Sequence, residues 1–167
     1  DEMSAMHLLV QRIRELELEN ATVVATGLGF AKRARNFAEI LGMPLALVER
    51  RHEPSDGGTG HLNLLGEVAG RACVMVDDEV ATGNTMLRVA QLLQEKGATR
   101  LISAAIHPIL CANALERFKH SPIEMLITTD SIPHSVDTWA GLSVTSVAPL
   151  LGETILRIHK GISVGAM

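Results

Sequence analysis

The fold is decided by one stretch of the sequence, Val74-Met75-Val76-Asp77-Asp78-Glu79-Val80-Ala81-Thr82-Gly83-Asn84-Thr85. Its first three residues continue an apolar run that starts at Cys73, which is the pattern of a strand buried on both faces. We expect this strand to end at the two adjacent acids. A short polar loop follows, and helical periodicity begins at Asn84. A buried strand, a tight loop and a helix in this order are the repeating unit of α/β proteins.

The rest of the chain repeats this unit. Short apolar or β-branched runs alternate with segments that show helical spacing of apolar residues. The sequence therefore predicts an α/β fold in which a parallel, twisted sheet is flanked by helices on both faces. The predicted strands cover residues 22–25, 45–48, 61–68, 73–76, 101–106, 125–128 and 143–147. The predicted helices cover residues 4–16, 31–41, 84–96, 113–119 and 150–159.

Composition narrows the class of protein. The chain has 167 residues, of which 47% are hydrophobic, so we expect residues 1–167 to form a single domain with a substantial core. The formal net charge is -4 and aromatic residues make up 2%, which argues against nucleic-acid binding. No apolar run is long enough to cross a membrane, and no signal peptide is recognisable. A cytoplasmic protein is therefore expected.

The loop after the acid pair combines features that suit a sugar phosphate. Backbone N–H groups at the start of a helix favour an anion, and the hydroxyls of Thr82 and Thr85 add donors. Asp77 and Asp78 would repel that anion, but they suit sugar hydroxyls, or a cation that a phosphate also ligates. A phosphorylated sugar matches both halves of this arrangement, and no resident metal site is predicted.

This motif, two acids followed after three residues by Thr-Gly-Asn-Thr, resembles the phosphoribosyl-binding loop of the type I phosphoribosyltransferase fold. Further stretches, in order and at family spacing, resemble the carboxyl-terminal half of ribose-phosphate pyrophosphokinases. These stretches are Lys32-Arg33-Ala34-Arg35, Gly66-Glu67-Val68-Ala69-Gly70-Arg71, His107-Pro108-Ile109-Leu110, Asn113-Ala114, Ser131-Ile132-Pro133 and the ending from Arg157-Ile158-His159 to Ile162-Ser163.

The resemblance implies an activity: transfer of a diphosphate from ATP, with Mg²⁺, to the anomeric hydroxyl of ribose 5-phosphate, which gives 5-phosphoribosyl 1-diphosphate (PRPP). It implies a homo-oligomer and a second, amino-terminal lobe that is absent from these 167 residues. It also implies the roles of individual residues. Arg50 and Arg51 would belong to a mobile catalytic loop, Asp77 and Asp78 would bind the ribose hydroxyls, and the 5-phosphate would be held by Ala81, Thr82, Gly83, Asn84 and Thr85.

Two departures from the family pattern keep alternatives open. Glu49 stands where the catalytic loop carries a lysine, and Gly27 stands where the first glycine loop carries an aspartate associated with magnesium. These changes favour a non-catalytic regulatory or binding paralogue of a PRPP synthetase. A free-standing phosphoribosyltransferase is the other alternative, although no base-binding hood is recognisable. Three basic residues near the first glycine loop, Lys32, Arg33 and Arg35, are interpreted as a solvated helix face.

Overall fold

A computed structural model describes residues 3–51, 60–133 and 139–165 of the chain. The strands are β1 (Ala21–Ala25), β2 (Leu45–Arg51), β3 (His61–Leu65), β4 (Ala72–Val80), β5 (Arg100–Pro108), β6 (Met125–Thr129) and β7 (Leu142–Thr145). The helices are α1 (Met6–Arg14), α2 (Ala31–Leu41), α3 (Asn84–Glu95), α4 (Ala114–Lys119) and α5 (Ala148–Lys160), with a 3₁₀ turn at Leu28–Phe30 before α2.

The described strands form one seven-stranded sheet in the order β3-β2-β1-β4-β5-β6-β7. From β1 the chain moves outward to β2 and β3 on one side, and it then returns to place β4 on the other side of β1. The direction of winding therefore reverses between β1 and β4. In open α/β sheets, ligands bind beyond the carboxyl ends of the strands at such a switch point.

The sheet is parallel except at one edge. β3 runs antiparallel to β2, with Arg51 opposite His61 at the end that joins them. Residues 52–60 connect these two strands. Such a connection is shorter than the roughly dozen residues that a crossover between parallel strands requires. The predicted α/β fold is confirmed, and this edge strand is the exception to its parallel sheet.

Helices cover both faces of the sheet, as the sequence predicts. α1 and α2 pack on one face through buried aliphatic and phenylalanine side chains, among them Leu9, Ile13, Ala34 and Phe37. α3 and α4 pack on the opposite face, where Met86, Leu93 and Phe118 belong to the second core. Successive residues of β4 alternate between these cores, because neighbouring side chains of a strand point to opposite faces.

β4 is longer than the sequence predicts, and this length positions the acids. The expected end at Asp77 and Asp78 is wrong, since the strand continues to Val80. β5 is long as well, and it pairs with β4 as far as Val80 and Pro108. Because this ladder continues, the two acids extend from opposite faces of a paired strand instead of lying in a loose turn.

Candidate functional site

The site lies at the carboxyl ends of β1 and β4, where the winding of the sheet reverses. Thr26 follows directly after β1, and Asp77 and Asp78 lie near the end of β4. The Thr26 hydroxyl donates a short hydrogen bond to Oδ2 of Asp77. This contact joins the two central strands and fixes the rotamer of the first acid.

Backbone and side-chain donors order the acid pair. The N–H of Asp78 donates to Oδ1 of Asp77 at 2.9 Å, and the N–H of Glu79 donates to Oδ1 of Asp78 at 3.0 Å. On the other face of the strand, Nη1 of Arg33 lies 3.4 Å from Oδ2 of Asp78. Each carboxylate is therefore oriented by a neighbouring N–H group, while both remain partly accessible.

Asp77 has a perturbed acidity. Burial raises the pKa of its carboxyl above the ordinary value of 3.8, and the nearby negative charge of Asp78 acts in the same direction. The hydrogen bonds from Thr26 and from the Asp78 N–H group favour the ionised form and oppose part of this rise. A partly desolvated carboxylate is a strong acceptor for a hydroxyl donor, which suits a role in binding sugar hydroxyls.

The threonine loop lies between the end of β4 and the start of α3. Gly83 adopts a left-handed conformation, with φ of +74°. Its carbonyl accepts the hydrogen bond from Leu87 N–H that starts α3. Residues 77–86 line a cavity of about 230 Å³. The structure thus brings the acid pair and the five loop residues of the predicted phosphate site, residues 81–85, into one cavity.

A second cavity, of about 330 Å³, lies beside the first and shares Thr85 with it. It is bounded by Thr26 and Gly27 after β1, and by Arg50 on β2. Arg50, one of the two predicted catalytic arginines, therefore lies next to the loop cavity. The polar, glycine-rich sequence of residues 51–60 predicts a mobile loop there. Residues 52–59 of that segment and the side chain of Arg51 lie outside the described residues.

Three contributions to the site were missed by sequence reasoning. Thr26 orients Asp77, Arg33 contacts Asp78, and Nη1 of Arg117 donates to the Thr82 carbonyl at 2.9 Å. Lys32, Arg33 and Arg35 are exposed on α2, as expected for a solvated helix face. Arg33 additionally lies 3.4 Å from Asp78 and 5.9 Å from the centre of the Phe30 ring. Helical periodicity cannot show such a contact, since it depends on the approach of α2 to β4.

The described parts of the chain contain neither a cluster of metal-ligating side chains nor a membrane-spanning helix. Among residues 3–51, 60–133 and 139–165, three or more His, Cys, Asp or Glu side chains nowhere converge as a metal site would require. The helices of the same residues are too short or too polar to cross a bilayer.

A twisted parallel sheet with an acid pair and a threonine loop at its switch point defines a domain of the type I phosphoribosyltransferase class. Comparison with solved structures supports this assignment of the fold. Phosphoribosylpyrophosphate synthetase from Mycobacterium smegmatis superimposes with a TM-score of 0.87 at 30% identity, over 96% of this chain and 52% of that protein. Adenine phosphoribosyltransferase from Leishmania donovani shares the fold. It superimposes with a TM-score of 0.60 at 19% identity, over 89% of this chain and 75% of that protein.

Sequence comparison identifies the family. Residues 52–167 match the model of the phosphoribosyl synthetase-associated domain, and the chain belongs to that family. Ribose-phosphate pyrophosphokinase from Thermosipho africanus is 37% identical over 100% of this chain and 53% of its own length. The enzyme of the same name from Listeria ivanovii is 36% identical, with the same coverage. The chain thus spans about half the length of the curated relatives it matches.

Proposed function

We infer that this chain is the ribose 5-phosphate-binding part of a ribose-phosphate pyrophosphokinase. The complete protein would transfer a diphosphate from MgATP to the anomeric hydroxyl of ribose 5-phosphate, producing PRPP for nucleotide biosynthesis. One observation carries this inference: the acid pair and the phosphate loop line a single cavity at the switch point of the sheet. In this proposal the acid pair binds the sugar hydroxyls and the adjoining loop binds the phosphate.

Each half of the cavity has the chemistry for one half of the ligand. Asp77 and Asp78 supply carboxylate oxygens, which can accept hydrogen bonds from the ribose hydroxyls. Residues 81–85 supply backbone N–H groups at the start of α3 together with two threonine hydroxyls, and these donors suit a phosphate. Because the acids would repel a phosphate, the ligand is oriented with its hydroxyls towards β4 and its phosphate towards the loop.

The second cavity is where we place the diphosphate that is transferred. Arg50 brings a positive charge to this cavity, and Thr85 is common to both cavities. Diphosphate transfer depends on positioning and on neutralising charge, which an arginine can provide. The Mg²⁺ ion enters with ATP as part of the substrate. The carboxylates of Asp77 and Asp78 are ligands of the kind that Mg²⁺ accepts. Much of the ATP site would come from the other half of the complete protein, and the complete protein would be a homo-oligomer.

A non-catalytic binding paralogue is the second candidate, and Gly27 favours it. The backbone of Gly27 is extended, with φ of -170°. A Cβ atom built there meets nothing within 4 Å. Packing therefore leaves room for the aspartate that the family resemblance predicts at this position, and its absence removes one carboxylate from the polyphosphate side of the site. A coupled assay for AMP release from ATP and ribose 5-phosphate, made on the full-length gene product, separates a catalyst from such a paralogue.

Isothermal titration calorimetry tests the binding function on this chain. With Mg²⁺ present, we expect saturable heat with ribose 5-phosphate or PRPP. Ribose without the phosphate is expected to bind much more weakly, because it cannot use the donors of residues 81–85. The variant Glu95→Gln serves as the control, since it removes an exposed carboxylate at the far end of α3 and should bind as the unaltered chain does. Absence of heat with both phosphorylated ligands would refute the proposed function.

A further inference from the structure

Three successive carbonyl groups at the start of the phosphate loop are tied to the segment that follows β5. Leu110 N–H donates to the Val80 carbonyl at 3.0 Å, and Cys111 N–H donates to the Ala81 carbonyl at 3.1 Å. The Arg117 guanidinium, on α4, donates to the Thr82 carbonyl at 2.9 Å. The buried Phe118 ring lies against Gly83, where a Cβ atom would come within 2.7 Å of it. Residues 110–118 therefore support the loop from one side.

These bonds set the direction of three N–H groups. In a trans peptide the C=O and N–H of one unit point in opposite directions, and no cis peptide occurs in the described residues. The N–H groups of Ala81, Thr82 and Gly83 therefore point away from residues 110–117. Residues 81–83 line the loop cavity and residues 110–117 do not. Between described residues, none of the loop and turn hydrogen bonds of the backbone uses these three N–H groups as donors.

The charges around the cavity indicate that Arg117 also has an electrostatic effect on anion binding. The lining residues, 77–86, include three carboxylates and no basic side chain. Two arginines reach these residues from outside the lining, Arg33 through Asp78 and Arg117 through the Thr82 carbonyl. Arg33 contacts the part of the cavity assigned to the hydroxyls. Arg117 contacts the phosphate loop itself, at the peptide unit that carries Gly83 N–H.

We propose that Arg117 is a positioning residue for the phosphate of the ligand, an inference that rests on the proposed function. Its guanidinium fixes the peptide between Thr82 and Gly83 and polarises it, because a charged donor on the carbonyl strengthens the N–H of the same unit as a donor. Its positive charge also offsets part of the repulsion that the acid pair exerts on a phosphate. The anion site is thus completed by a side chain that does not line the cavity.

Two variants at this position test the role of Arg117. Arg117→Met removes both the donor and the charge. We expect it to weaken ribose 5-phosphate binding about tenfold, because the Gly83 N–H becomes a weaker and less well oriented donor to the phosphate, a loss comparable to one hydrogen bond to a charged group. Arg117→Lys keeps a charged donor and should recover most of the affinity. In ¹⁵N-HSQC spectra recorded without ligand, the Gly83 amide proton should move upfield in Arg117→Met and stay near its original position in Arg117→Lys.

Arg100→Met is the matched control. Arg100 starts β5 at the amino ends of the strands, opposite the carboxyl ends that form the site, and it pairs with Glu124. Its loss therefore changes the net charge equally without touching the loop. If Arg117→Met and Arg100→Met bind ribose 5-phosphate equally well and leave the Gly83 resonance unchanged, the positioning role is wrong. If the unaltered chain binds no phosphorylated ribose, the proposed function fails, and the role of Arg117 in ligand binding fails with it. The Gly83 resonance still reports, separately, whether Arg117 orders the loop.

Discussion

The substitution Asp77→Asn is expected to weaken ribose 5-phosphate binding by about 10- to 100-fold, which is the loss of one or two hydrogen bonds to a charged acceptor. The amide keeps one oxygen for the Asp78 N–H group, and its NH₂ group can donate to the Thr26 hydroxyl. The local hydrogen bonds are therefore retained while the negative charge is lost. Calorimetry at constant ionic strength measures the effect, and Glu95→Gln again controls for the change in net charge.

The same substitution is expected to stabilise the folded domain at neutral pH. The pKa of Asp77 is raised in the folded state, because burial disfavours the charged carboxylate. Between the ordinary pKa of 3.8 and the raised value, the folded chain retains a proton that the unfolded chain has lost. The free energy of unfolding therefore falls as the pH rises through this window, and the full penalty applies above it. Asparagine carries no charge and avoids this penalty.

Urea unfolding at two pH values tests this stability effect. Asp77→Asn should be more stable than the unaltered chain at pH near 7, whereas the difference should shrink or vanish below the ordinary pKa of 3.8, where both side chains are neutral. A variant that is less stable at neutral pH would show that the carboxylate contributes to folding through its hydrogen bonds. Weaker ligand binding together with greater stability would indicate that the partly desolvated carboxylate of Asp77 destabilises the fold and is needed for ligand binding.

The second large effect is expected at Gly83. Gly83→Ala would place a Cβ on a residue with φ of +74°, within 2.7 Å of the Phe118 ring. The left-handed conformation costs about 1–2 kcal/mol for a non-glycine residue, and an overpacked contact adds about 1–3 kcal/mol. Together these cost about 2–5 kcal/mol, so we expect the melting temperature to fall by roughly 4–20 °C, because 1 kcal/mol corresponds to about 2–4 °C in a chain of this size. Gly83→Ala should also weaken ribose 5-phosphate binding, because the loop has to shift away from the Phe118 ring.

Two further variants separate strain from steric conflict at Gly83. Gly42 also has a positive φ, of +67°, but nothing lies within 4 Å of a Cβ built on it. Gly42→Ala should therefore show the smaller, conformational part of the loss and leave ligand binding unchanged. Adding Phe118→Leu to Gly83→Ala should recover part of the affinity, because it removes the ring that the new methyl group meets. Equal destabilisation by Gly42→Ala and Gly83→Ala would contradict the contact with Phe118.

The sequence predicts the seven strands and five helices because each has a local periodicity, and apolar runs such as Val74-Met75-Val76 admit few other structures. Two features of the sheet were not predicted from the sequence. The end of β4 at Val80 depends on pairing with β5, which no local pattern at Asp77 reveals. The antiparallel direction of β3 follows from the shortness of its connection to β2.

The candidate site is predicted only in part, because its chemistry comes from both local and distant contacts. The acid pair and residues 81–85 are adjacent in sequence, so a single motif contains them. Thr26, Arg33 and Arg117 come to the site from positions 51, 45 and 35 residues away from their partners. Such contacts follow from the order of the strands and the packing of helices against them, which a motif does not encode.

The central claim is that residues 77–85 bind a phosphorylated ribose, and a ¹⁵N-HSQC titration with ribose 5-phosphate tests it most directly. We predict that the largest shifts fall on the amides of residues 81–85, with smaller shifts at Asp77 and Asp78, and that they saturate with the affinity measured by calorimetry. Unchanged resonances throughout residues 77–85 at concentrations of ribose 5-phosphate that shift other amides would contradict the claim.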